Sequence, residues 1–402
     1  MVWFIHKCGY ITVILFSMFY GTSCIKVISN NIEGKPLQQF QTTSENKKKD
    51  LKPEVIKSKL LNEKSTIWRV STINFEHSKT NQQYFFLNEK TGWAYAENLY
   101  ETKNSGMTWD FVLIPKPENT VISHVFFTNE NRGWMVVQPY ERNYTKFREN
   151  HFLLFETVGE GKFWSKKLEL EGVVIDEIKF TNEKIGWITG RKYLNTSPET
   201  FEIYMLITND GGKTWNEVSA NLNKIVLENQ TTSNPYIEAV SYSGDQLILI
   251  SGKKQLFQTN DFGNSWSFLE NIPDEDLFTS IGVKNTGLLN DNSLWLIGSS
   301  HHYNAEGDII KRVDNHWEQY KLDDIYFSDG MFLSNDEVII CGYRVKKDGN
   351  VGVILYSSDK GKTWVTLTEQ TKTDNIMHLQ KLDKSTIIAW DNESAIYMVT
   401  RL

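Results

Sequence analysis

Four stretches of the chain repeat one pattern: a hydroxyl residue, Asp or Asn two positions on, Gly two further, then Thr or Ser followed by Trp. They read Thr208-Asn-Asp210-Gly-Gly212-Lys-Thr-Trp215, Thr259-Asn-Asp261-Phe-Gly263-Asn-Ser-Trp266, Ser357-Ser-Asp359-Lys-Gly361-Lys-Thr-Trp364 and Thr102-Lys-Asn104-Ser-Gly106-Met-Thr-Trp109. Two degenerate copies, Thr157–Trp164 and Asp314–Trp317, fill the gaps. The anchor tryptophans then fall at 109, 164, 215, 266, 317 and 364, with intervals of 55, 51, 51, 51 and 47. A period of this kind decides the architecture before local propensity is consulted.

Each element of the pattern has a physical role. A carboxylate at Asp210, Asp261 or Asp359 accepts hydrogen bonds from nearby backbone N–H groups and fastens a tight turn, and Asn104 does the same in the variant copy. The glycines at 106, 212, 263 and 361 allow a positive φ that other residues adopt at a cost. The Trp opens the returning strand with a large apolar face. Burying it removes roughly 150–250 Å² from water, an upper bound of about 4–6 kcal/mol.

A second repeat runs out of phase with the first. Tyr84-Phe-Phe-Leu-Asn-Glu-Lys-Thr-Gly-Trp93, Val125-Phe-Phe-Thr-Asn-Glu-Asn-Arg-Gly-Trp134 and Ile178-Lys-Phe-Thr-Asn-Glu-Lys-Ile-Gly-Trp187 each read as strand, polar turn, strand, with weaker versions further on. One period therefore holds four antiparallel strands, A to D, which is a propeller blade. The last period stops after strand C, while Thr66–Ser71 is an orphan strand near a Trp. Joining the two completes a seventh blade and removes an open edge. The fold expected is all-β, a seven-bladed propeller over residues 65–402, its last blade closed by an N-terminal strand.

The 402 residues are 40% hydrophobic, ample for a large core, and the net charge of −7 gives no electrostatic case for nucleic acid. No long amphipathic helix is expected. Residues 1–24 combine a short apolar run with a Gly-Thr-Ser-Cys24 ending, which reads as a lipoprotein-type signal with Cys24 as the acylated residue. Residues 25–64 are rich in Asn, Gln, Lys, Ser and Glu and read as a flexible polar tether. The localisation this implies is a bacterial cell envelope, facing the periplasm or the exterior, with plain secretion as the alternative. Cys341 is left as a buried apolar side chain in strand B of the sixth blade.

In a propeller the A–B and C–D turns share one face, and the B–C and D–A connections share the other. The repeated turns are thus structural, and the variable B–C loops are where partners bind. Basic and aromatic residues recur there: Tyr140, Arg142, Tyr144, Lys146 and Arg148 in blade 2; Arg191, Lys192 and Tyr193 in blade 3; His301, His302 and Tyr303 in blade 5; Tyr343, Arg344, Lys346 and Lys347 in blade 6. Arg and Tyr are enriched at protein-binding hot spots, and the same set leaves a carbohydrate partner open. His301 and His302 with Glu306 and Asp308 do not make a metal site, because adjacent histidines of an extended strand point apart. No cofactor and no catalytic residue is expected.

The motif set resembles the Asp-box, or BNR, repeat proteins, and within them the Ycf48-like photosystem II assembly factors and their bacterial relatives. That resemblance spans about residues 65–402. It implies a scaffold that binds protein partners without catalysis; the family's arginine-rich patch has no motif that transfers it to positions here. A sialidase-like or other glycoside hydrolase is the enzyme alternative. Leu113-Ile114-Pro115 has Leu where the sialidase signature carries Arg. A lipoprotein that binds a secreted protein as an immunity or receptor factor is the third reading. If Cys24 carries the anchor, Cys24→Ser moves the protein from the membrane to the soluble fraction on cell fractionation. Unchanged partitioning rules out acylation at this residue.

Overall fold

A computed structural model describes residues 2–7, 10–15, 54–64, 67–73, 82–140, 151–196, 199–229, 235–243, 246–272, 281–289, 293–300, 305–313, 316–371 and 373–402. Met1–Lys47 and Lys48–Leu402 are separate compact units, and in the first Val2–Lys7 pairs with Tyr10–Leu15 as an antiparallel hairpin. The second unit is a propeller of seven sheets.

Blade 1 is built from Gln83–Phe86, Gly92–Tyr95, Leu99–Thr102 and Asp110–Val112, and blade 2 from Thr120–Asn129, Arg132–Pro139, His151–Val158 and Trp164–Glu171. Blade 3 has Val173–Phe180, Gly186–Thr196, Glu199–Thr208 and a two-residue Asn216–Glu217. Blade 4 has Ile237–Ser243, Gln246–Ser251, Gln255–Thr259 and Ser267–Asn271. Blades 5 and 6 follow as Ile281–Leu288, Leu294–Ser300, Glu306–Val313, His316–Asp323 and Ile325–Phe332, Val338–Arg344, Val351–Ser357, Thr363–Gln370. Blade 7 takes Ile376–Lys381, Thr386–Asp391 and Ile396–Arg401 from the C-terminal end and Trp68–Ile73 from the N-terminal side. The closing pair is antiparallel, with Ile396 opposite Ile73 and Arg401 opposite Trp68. The orphan strand thus closes the ring where the sequence places it.

The repeated C–D turns lock as their chemistry dictates. In blade 3 the Gly212 N–H donates to Thr208 Oγ1 (2.7 Å), and Thr208 Oγ1 donates to Asp210 Oδ1 (2.9 Å). Asp210 then accepts the Thr214 N–H (2.9 Å) and its hydroxyl (2.8 Å). Thr259, Asp261, Gly263 and Ser265 repeat this set, as do Ser357, Asp359, Gly361 and Thr363. Asn104 reproduces it with its amide. The Thr214 backbone bond holds the Asp210 carboxyl below the usual range; at Asp261 and Asp359 burial acts upward and the hydrogen bonds prevail.

The glycine of each turn faces the preceding blade. A Cβ on Gly212 would lie 2.2 Å from Trp134 of blade 2, and one on Gly361 2.9 Å from Ile309 of blade 5. Both residues have positive φ, 76° and 92°. The turn is therefore a wedge between blades as well as a hairpin lock. Its Trp packs edge-on beneath: Trp215 lies 5.7 Å from Trp134 at 88° and 5.7 Å from Phe180 at 76°. Trp164, Trp317 and Trp364 are buried, whereas Trp109, Trp215 and Trp266 are half-buried.

The second repeat supplies the other half of each blade contact. Asn88, Asn129 and Asn182 accept the N–H groups two and three residues on, closing the A–B turns. Phe86, Phe127 and Phe180 lie over Gly92, Gly133 and Gly186, where a Cβ would come within 2.4, 2.6 and 2.5 Å of the ring. The following Trp reaches the next blade. Trp93 stacks on Phe127 (3.4 Å, 6°) and Trp134 on Phe180 (5.9 Å, 15°). Such pairs contribute about 0.5–1.5 kcal/mol each beyond area.

Three features depart from the sequence reading. Helix α1, Ser219–Asn229, stands where blade 3 lacks most of its D strand. Its buried Ser219 and Asn223 imitate the missing ladder: the Ile203 N–H donates to Asn223 Oδ1 (2.9 Å), Asn223 Nδ2 donates to the Ile203 carbonyl (2.7 Å), and the Met205 N–H donates to Ser219 Oγ (2.9 Å). Secondly, the last part of the segment expected as tether, from Glu54 to Lys64, is built of strands, while residues 25–53 lie outside the described residues. Glu54–Lys57 adds in parallel to the D strand of blade 5, and Lys59–Lys64 to that of blade 6. Ser58 joins them, donating its hydroxyl to the Gly361 carbonyl (2.6 Å). The alternation of Ile56 and Leu60 against the core beneath was hidden by the polar composition around it.

Thirdly, blade 2 gives up the lock. Gly159 stands where Asp belongs and Phe163 where Thr belongs, and the buried Thr157 hydroxyl is left without a partner. Gly159 has no positive φ, and a Cβ there meets nothing nearer than Phe163 at 3.8 Å. The double variant Gly159→Asp/Phe163→Thr should therefore rebuild the lock and gain about 1 kcal/mol. A thermal melt should show Tm raised by about 1–2 °C; an unchanged or lower Tm refutes this account of the turn.

Candidate functional site

Strand A is innermost in every sheet, and in six blades it carries a bulge at the same level. The extra residues are Ser123, Asp176, Glu238, Lys284, Ser328 and Met377. A bulge turns two successive side chains where one is expected, and here it builds a polar ring around the central axis. His124 Nε2 lies 3.0 Å from the Asp176 carbonyl, and the Val283 N–H donates to Glu238 (2.8 Å). Asp329 accepts from Asn285 Nδ2 (3.2 Å), the Gly330 N–H (2.7 Å) and the Leu379 N–H (2.9 Å), joining blades 5, 6 and 7. Burial pushes the Asp329 carboxyl up and the neighbouring His378 imidazole down. Adjacent polar residues inside an apolar strand were the signal for this ring, and strict alternation could not represent it.

The B–C/D–A face surrounds the mouth of that ring. On it Tyr140 is 63% exposed, Leu194 43% and Tyr236 41%. Tyr236 lies across Gly252, where a Cβ would be 2.1 Å from its ring, so this glycine is the floor of an aromatic platform. Blade 3 extends on this face as a hairpin paired out to Thr196 and Glu199.

The residues expected on this rim divide. Arg142, Tyr144, Lys146, Arg148, His301, His302 and Tyr303 lie outside the described residues. Arg191, Lys192 and Tyr193 belong to strand B rather than to a loop, a correction that follows from the length of the hairpin. Arg191 grips Asp176 with two bonds (2.8 and 3.2 Å) and lies 5.7 Å from the Phe201 ring, while Tyr193 is buried against Phe201. Tyr343 and Arg344 likewise end strand B of blade 6. Tyr343 stacks on Tyr326 at 4.9 Å and 13°, and Lys284 Nζ sits 5.5 Å from the Tyr326 ring on a neighbouring blade. Arg344 and Lys346 both reach Glu369, and Lys347 is exposed in the loop that follows. The basic side chains described here are mostly engaged within the fold, and Tyr140, Leu194 and Tyr236 are exposed.

Asp308 is the buried carboxyl with the largest consequence. It is 1% exposed, accepts from Gln319 Nε2 (2.7 Å), and its second oxygen has no partner. Burial raises its pKa to about 7. Glu306 beside it pairs with Lys321 at 2.8 Å. Among the described residues no cluster of His, Cys, Asp and Glu is arranged to hold a metal ion.

Seven four-stranded blades, locked turns that repeat Thr-x-Asp-x-Gly and an open loop face define an Asp-box propeller. Residues 156–274 match the family described as photosynthesis system II assembly factor YCF48. Among solved structures it is similar to YCF48 bound to D1 peptide, at 18% identity over 86% of this chain and 99% of that one, with a TM-score of 0.55. YCF48 from Cyanidioschyzon merolae is similar at 14% identity over 83% and 98%, TM-score 0.55. The GH74 xyloglucanase from Xanthomonas campestris shares 11% identity over 82% of this chain and 53% of its own, TM-score 0.53. No curated protein matches the sequence.

The Asp308 carboxyl has a direct pH consequence. A carboxyl whose folded pKa lies above its unfolded value adds stability that is complete below about pH 4 and lost as pH rises towards 7. Asp308→Asn keeps the acceptor, offers an N–H to Gln319 and removes the ionisation. Its Tm should exceed the parent's at pH 8 by more than at pH 5; a pH-independent difference refutes the buried-carboxyl account.

Proposed function

We propose that this protein is a non-catalytic scaffold that captures a protein partner on its B–C/D–A face, held at a bacterial cell envelope through acylated Cys24. The carrying observation is the contrast between the two faces. The locked turns of blades 1, 3, 4 and 6 on one face satisfy their own hydrogen bonds, while the other face presents Tyr140, Leu194 and Tyr236 in solvent beside the blade 3 hairpin. Exposed aromatic side chains on a rigid rim are what a binding hot spot requires.

The similarity to YCF48 bound to D1 peptide supports a polypeptide as the partner class. A glycoside hydrolase would need two carboxyls facing one cleft. Asp308 is enclosed between strands C and D of blade 5, and Asp329 spends its oxygens on three donors along the axis. That disposition supports the scaffold over the enzyme.

Combining Tyr140→Ala, Leu194→Ser and Tyr236→Ala should leave the Tm within about 1 °C, since exposed substitutions change stability by about 0.5 kcal/mol or less. Capture of the partner from envelope extract should fall at least tenfold. Full capture by the triple variant overturns this assignment of the face.

A further inference from the structure

The A–B/C–D face is polar over much of the ring, and blades 1 and 2 break the rule. Of the thirteen large apolar side chains exposed among the described residues, three stand on the C–D turns of these two blades: Met107, Val158 and Phe163. Met107 and Phe163 are 73% and 79% exposed. Their counterparts in the other locked turns are polar: Lys213, Asn264 and Lys362 for Met107, and Thr214, Ser265 and Thr363 for Phe163. Blade 2 has lost its lock for a Phe in water, and an orphaned hydroxyl remains as the cost. Where a repeat departs from its own stabilising rule, the departure marks a function.

We propose that this apolar arc is a docking surface for a phospholipid bilayer. Met107, Val158 and Phe163 stand on the turns of two separate blades. The 460 Å³ depression found on this face lies elsewhere, lined by Asn182, Glu183, Lys184, Ile185, Asn209 and Phe262. Single apolar tips on convex turns suit insertion among lipid headgroups, where each finds its own hydrocarbon contact. Lys103 and Lys162, 58% and 60% exposed, flank the tips with long aliphatic stems and ammonium ends suited to lipid phosphates. Glu160 pairs with both at 4.0 and 2.7 Å, so phosphatidylcholine as well as phosphatidylglycerol vesicles should bind. The N-terminal apolar run Tyr10–Tyr20 supplies the reason to expect a bilayer nearby, and to that extent the inference rests on the envelope reading. Docked in this way, the protein turns its B–C/D–A face outward to its partner.

The test uses the full chain carrying Cys24→Ser, so that acylation plays no part. Gly159→Asp/Phe163→Thr with Met107→Lys should reduce co-flotation with either vesicle at least fivefold, with Tm equal to or above the parent's. In parallel, a bimane label at Phe163→Cys should shift to the blue with vesicles, and one at Thr214→Cys, the same position in blade 3, should not. Equal flotation of variant and parent, or a label at 163 that vesicles leave unchanged, overturns the proposal. A blue shift that grows with protein concentration without lipid assigns the arc to a second copy and also overturns it. The Tyr140, Leu194 and Tyr236 triple variant should float as the parent does, which separates this surface from the partner-binding face.

Discussion

Four of the seven blades share one constraint, a threonine or serine hydroxyl that both donates and accepts within one turn. Thr208 takes the Gly212 N–H and gives its own proton to Asp210, which in turn holds Thr214. The closed circuit keeps two consecutive residues at positive φ and delivers a glycine, bare of side chain, against the preceding blade. Blade 2 lacks the lock and still keeps positive φ at Glu160 and Gly161, so the lock stabilises a turn shape that the glycine permits. The aromatic relay of Trp93 on Phe127 and Trp134 on Phe180 can stack only because that approach is close.

Local chemistry explains which parts of the structure were legible. The locks and the Asn-closed A–B turns are made by residues within a few positions of one another, so their spacing in the sequence is their geometry. The closing strand, paired with Ile396–Arg401 far away in sequence, was legible because the repeat left one blade short of a D strand. The strap of Glu54–Lys64 was not legible, because it is parallel to strands of blades 5 and 6 far away in sequence and its composition is that of a solvated linker. Helix α1 was missed for a different reason. The period requires a D strand after Trp215, and only Ser219 and Asn223, spaced for one helix face, reveal a substitute that bonds through side chains.

The candidate site shows the same division. Exposure of Tyr140 and the stacking of Tyr343 follow from their positions at the ends of B strands. The engagement of Arg191 with Asp176 does not, since Asp176 reaches it only through a bulge that a strictly alternating strand would lack. The bulges place polar groups between neighbouring blades, where His124, Glu238 and Asp329 are spent on joining them. Asp329 is the clearest case, since its oxygens hold blade 7, the blade made from two distant parts of the chain, to blade 6.

A ring of near-identical units has a property that single-core folds lack: each unit is a control for the others. Thr157 sits in the same backbone setting as Thr208 and Thr259, yet its hydroxyl has no partner because Gly159 and Phe163 replaced both members of the lock together. Replacing both partners costs less than replacing one, which is why the blade survives. The change still leaves a large ring in water, and a folding requirement alone would not keep it there. Stability accounts for the five positions at which the other locks agree, and function is the better account of the two at which blade 2 does not.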